Sequence, residues 1–125
     1  MKHVLKVHNE GFLFTVTTEG NGDVAGIVAF LKDIISHPQW QPGNLILLDH
    51  RALKIDRITT SGIEDVSVYF RTIAPQLGNG KIALVMNRKI DFGIARAWEN
   101  ITEQDVGIKI HVFRNYEKAT SWLEK

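Results

Sequence analysis

The sequence predicts an α/β fold, a mixed sheet of about five strands with four helices in the order ββαβαβαβα. Two apolar runs, residues 45–48 (LILL) and 82–86 (IALVM), show no polar alternation, which marks strands covered on both faces. Segments of helical periodicity stand between strands and after the last one. After an opening hairpin, such alternation gives parallel strands joined by right-handed crossovers.

Each element has its local reason. Residues 3–8 and 11–18 read as strands, with Phe12, Phe14 and Val16 alternating against Leu13, Thr15 and Thr17. Asn9, Glu10 and Gly11 make the tight turn between them. Asp23 is placed to cap a first helix through about Ser36, carrying Ile27, Val28, Leu31, Ile34 and Ile35, and Pro38 ends it. The run 45–48 is the central strand, and the polar stretch 49–59 reads as irregular. A second helix spans about 62–74 with Ile63, Val66, Phe70 and Ile73 on one face, closed by Pro75.

Residues 82–86 form the next strand, and Asp91 is placed to cap a third helix bearing Ile94, Trp98 and Ile101. Gly107 opens a last strand in which Ile108, Ile110 and Val112 alternate with Lys109, His111 and Phe113, as at a sheet edge. Asn115 caps a closing helix that buries Ala119, Trp122 and Leu123. The length of 125 residues, 44% of them apolar, fits one domain over 1–125 with its own core.

Composition narrows the chemistry. With no cysteine there is no thiol nucleophile, thiolate metal site or disulfide, which fits a reducing compartment. Fifteen basic against fourteen acidic residues give a net charge of +1, and no basic run exceeds two residues, so nucleic acid is not an expected partner. The longest apolar runs have five residues, against the ~20 that span a bilayer, and the start MKHVLKVHNE has no leader-like apolar region. The expectation is a cytoplasmic protein without an integral membrane segment.

Few motifs carry chemistry. GNGDVAG lies between a strand and a helix, where a dinucleotide loop would, but Glu19 and Asp23 would repel a pyrophosphate, and turn plus cap explains it. Asp91-Phe92-Gly93 spells a kinase tripeptide with no kinase context around it. The five histidines show no paired metal spacing, so neither metal nor cofactor is expected. Asp49, His50 and Arg51 follow the central strand, where functional groups gather in open α/β sheets. Asp49 and His50 are the only adjacent acid–base pair to nominate for catalysis, and adjacent strand residues point apart, so no catalytic residue is assigned.

Two readings stand for ITTSGIED, residues 58–65. Ser61 with Glu64 matches an S-x-x-E capping box. The same helix start offers free amides to a phosphate on Thr60 or Ser61, although Glu64 and Asp65 would oppose it. Trp40, between two prolines, covers the edge of the core or lines a pocket.

The segment LILLDHRALKID followed by ITTSGIEDV, the helix FGIARAWE and the terminal VFRNYEKATSWL together resemble the STAS domain of anti-sigma-factor antagonists, and more closely its SpoIIAA-like (STAS/SEC14-type) branch. The resemblance implies a regulatory or protein-interaction role without known catalysis, and self-association as a homodimer. It makes Thr60, beside Ser61, the position of the antagonists' phosphoacceptor. The aspartate that precedes it in antagonists is Thr59 here, and the loop before it is longer. The partner surface is then expected around Asp49, His50, Arg51 and Glu64. The SEC14-type comparison implies, as the alternative, a small apolar ligand between helix and sheet, with Trp40 and Trp98 as candidate walls.

Overall fold

The computed structural model describes residues 1–125, apart from the side chain of Asp105. Its elements are β1 (Lys2–His8), β2 (Leu13–Asn21), α1 (Val24–Ser36), β3 (Leu45–Lys54), α2 (Thr60–Leu77), β4 (Lys81–Met86), α3 (Lys89–Thr102), β5 (Lys109–Phe113) and α4 (Tyr116–Leu123). The predicted order and fold class hold. The sheet runs β1-β2-β3-β4-β5, antiparallel between β1 and β2 and parallel thereafter.

That sequential order dictates the layers. Right-handed crossovers between neighbouring parallel strands all fall on one face, so α1, α2 and α3 lie side by side there. They bury the larger core, which includes Phe14, Phe30, Ile34, Phe70, Leu77 and Ile82. Helix α4 follows the last strand and covers β3, β4 and β5 on the other face, over Leu47, Ala83 and Val85. Each fully buried large apolar side chain contributes roughly 1.5–3 kcal/mol.

Four local expectations change. Strand β3 continues through Lys54, because β2 pairs with it as far as Asn21, opposite Lys54. The polar stretch read as irregular is therefore mostly strand. Helix α2 starts at Thr60 and runs past Pro75 to Leu77; Leu77 is fully buried, and Gly78, at φ 77°, closes the helix by donating its N–H to the Ala74 carbonyl. Helix α3 starts at Lys89, so Asp91 lies inside its first turn and is not its cap. Its buried face is Ala95, Trp98 and Thr102, whereas Ile101 is exposed. Asp23 and Asn115 do cap α1 and α4, accepting from the amides of Gly26 and Lys118.

Candidate functional site

Thr59 opens α2. Its hydroxyl accepts the Gly62 amide at 3.0 Å, which satisfies one of the free donors of the first turn. Ser61 is the second helical residue and makes no cap, so the S-x-x-E capping box is not formed. A different signature was present in the sequence. With Thr59 as cap, Ile58 and Ile63 occupy the two positions of a hydrophobic staple, and both line the same cavity. Gly62 lets this turn settle against α1, since a Cβ there would stand 2.9 Å from Ile58 Cγ2 and 3.1 Å from Val24 Cγ2.

The cap leaves Thr60 and Ser61 exposed, with no hydrogen bond from either hydroxyl among the described residues. Glu64 and Asp65 are exposed one turn later. The loop leading to this turn is anchored from α3. Asp91 has no solvent exposure; its Oδ1 accepts the Ile55 amide at 2.9 Å, and Arg88 Nε donates to its Oδ2 at 2.7 Å. Arg88 also donates to Asp56 at 2.6 Å, which holds the Asp56 carboxyl below its ordinary pKa. This clamp ties the end of β3 to the start of α3, and no sequence motif announced it.

Strand alternation separates Asp49, His50 and Arg51. Asp49 and Arg51 project on the α4 side and form a bidentate pair, 2.9 Å for each bond, with the Arg51 guanidinium 4.6 Å from the ring centre of Tyr116. The Arg51 hydrogen bonds lower the Asp49 pKa. His50 turns to the other face and is buried, 5% exposed, so it does not share a surface with its neighbours. Its Nδ1 lies 2.6 Å from the Thr18 hydroxyl, and burial pushes its pKa down to about 4, partly opposed by the nearby Asp49 charge. It is therefore a neutral imidazole near pH 7. No acid–base pair converges there.

Beneath the start of α2 lies an apolar cavity of about 60 Å³ between the helices and the sheet. Its walls include Ile27, Phe30, His50, Phe70 and Trp98, besides Ile58 and Ile63. Trp98 stands edge-on to Phe70, and its indole N–H has no hydrogen-bond partner among the described residues. The two tryptophans are not walls of one pocket. Trp40 covers the core's edge, donating its indole N–H to the Gln76 carbonyl at 2.8 Å and packing edge-on against Phe14. Among the described residues, no group of three or more His, Cys, Asp or Glu is placed to hold a metal ion. None of the described helices is long and apolar enough to cross a membrane.

No protein-family model and no curated protein matches the chain. Solved structures do. One is an uncharacterized protein of the DUF3478 family with a SpoIIAA-like fold from Shewanella loihica PV-4, at 14% identity and a TM-score of 0.61, covering 98% of this chain and 92% of that one. Another is an anti-sigma factor antagonist from Mycobacterium paratuberculosis, at 12% identity and a TM-score of 0.54, covering 99% and 94%. At such identity the likeness is one of architecture: the chain has a SpoIIAA-like fold, similar to that of the anti-sigma factor antagonist.

Proposed function

We propose that the protein is a regulatory module that docks a protein partner through the surface at the start of α2, with Thr60 and Ser61 as candidate phosphoacceptors. The observation that carries this reading is the division of labour among three successive hydroxyls. Thr59 is spent on the cap, while Thr60 and Ser61 stand exposed beside the amides of an 18-residue helix. Charge added there acts on docking without dismantling the cap. The likeness to an antagonist fold supports the same reading. On this reading the protein works as a cytoplasmic homodimer, and Glu64 lies on the docking face with the Asp49–Arg51 pair at its margin. Phosphosite mapping by mass spectrometry on protein recovered from its native cells should find Thr60 or Ser61 occupied. Both hydroxyls unmodified across growth and stress conditions would sink the switch.

A second reading, a small apolar ligand in the cavity, is favoured by one observation, the largely apolar space beneath the start of α2, walled by Ile58, Ile63, Phe70 and Trp98 among others. Such a ligand would have only a few heavy atoms, given a volume of about 60 Å³. Native mass spectrometry after gentle purification should show it retained. A mass equal to the bare chain would remove this reading.

A further inference from the structure

The two edges of the sheet are finished in opposite ways. At the β5 edge, the outward amides of Ile110 and Val112 are already taken by the carboxylates of Glu103, at 3.2 Å, and Glu99, at 2.9 Å. Glu99 is itself buried, so that edge is closed by a built-in acceptor. At the β1 edge, no donor or acceptor outside β2 reaches the backbone of Lys2–His8 among the described residues. An unpaired edge of this length is a template for one more strand.

The side chains of β1 specify the strand it fits. Lys2, Val4, Lys6 and His8 share the face that α4 leaves uncovered, with Leu13, Thr15, Thr17 and Glu19 beside them on β2. Val4 is 56% exposed, flanked at two-residue spacing by exposed Lys2 and Lys6. His8 is hydrogen-bonded to Thr15, and Glu19, opposite Lys2, is the single carboxylate of this face of the hairpin. The other titratable group on β1, His3, is paired with Asp33. A second copy is a poor occupant: antiparallel self-pairing would bring together two strands whose titratable side chains are all basic.

We infer that the β1 edge accepts an extended acidic segment of a partner protein as a sixth strand, its carboxylates facing Lys2 and Lys6 and a β-branched residue facing Val4. Backbone pairing supplies the binding, and the Lys-Val-Lys stripe selects the sequence. This surface is separate from the start of α2, so it stands or falls independently of the switch.

The test uses the full chain, isotope-labelled, titrated with a short peptide alternating Glu and Thr around a central Val, and with the same peptide carrying Lys for Glu. Saturable amide shifts confined to β1 and its β2 neighbours are expected with the acidic peptide alone. Lys2→Glu/Lys6→Glu should weaken that binding at least about tenfold and transfer preference to the Lys peptide, with the rest of the spectrum unchanged. No shift at about millimolar peptide, equal binding of both peptides, or shifts centred elsewhere would each overturn the proposal. So would a peptide-free dimer in sedimentation velocity whose β1 amides are protected, because a second copy would then own the edge.

Discussion

Where it leaves β3, the loop to α2 is held at Ile55 by the Asp91 carboxylate, which has no solvent exposure, and at Asp56 by Arg88; where it enters α2, at Thr59, a surface hydroxyl holds it. The first fastening joins residues 36 apart in sequence, and the second joins residues three apart. A buried charge that loses its partners must stay uncompensated or drag in water, so the α3 clamp is costly to break. A surface cap can be replaced in part by solvent, so its loss is mild. The rigid end places the loop, which leaves the exposed end free to change charge without unfolding the domain.

The sharpest way to break this contrast is Asp91→Ala. It orphans the buried Ile55 amide and leaves Arg88 without its main acceptor, so chemical denaturation should show a loss of roughly 3 kcal/mol. Asp91→Asn, which keeps an acceptor for Ile55, should lose less. Equal stability of Asp91→Ala and the parent would mean that the loop is held by its apolar contacts alone.

Burial at a second polar group, earlier on β3, can be probed by pH. His50 titrates near 4 in the folded chain, against about 6.5 unfolded. Below 6.5 the unfolded chain takes up a proton that the folded chain refuses, so stability falls as pH drops from 6.5 towards 4 and then levels. The span amounts to about 3 kcal/mol. His50→Leu should remove that part of the slope, read as the difference between the two stability–pH curves. Parallel curves would place His50 in contact with water.

Which of these features the sequence disclosed follows from their range. The strands 45–48 and 82–86, the caps Asp23 and Asn115 and the element order depend on neighbours along the chain, and the structure has all of them. Asp91 read as a cap because an aspartate before an apolar helix usually is one. Its actual partners, Ile55 and Arg88, include a backbone amide that no side-chain pattern can reveal. The extension of β3 through Lys54 was hidden for a similar reason: the ladder bonds come from β2, while the exposed Arg51 and Lys54 look like loop residues. The start of α2 is different. Its signal, the Ile58–Ile63 staple around Thr59, was present and outweighed by a competing S-x-x-E match.

That competition yields the smallest and most discriminating prediction. Thr59→Ala should cost about 1 kcal/mol, because the Gly62 amide loses its acceptor, and Thr59→Ser should restore most of it. Ser61→Ala should stay within about 0.5 kcal/mol of the parent, as an exposed position without a hydrogen-bonding role does. A Ser61 loss matching that of Thr59 would mean the helix begins two residues later in solution. Thr60 would then lie ahead of the helix instead of on its first turn, and the separation of a capping hydroxyl from two exposed, unbonded hydroxyls would fail with it. If Thr59 alone matters, Thr60 and Ser61 are free for modification at little cost to the fold, the condition a phosphorylation switch on this turn requires.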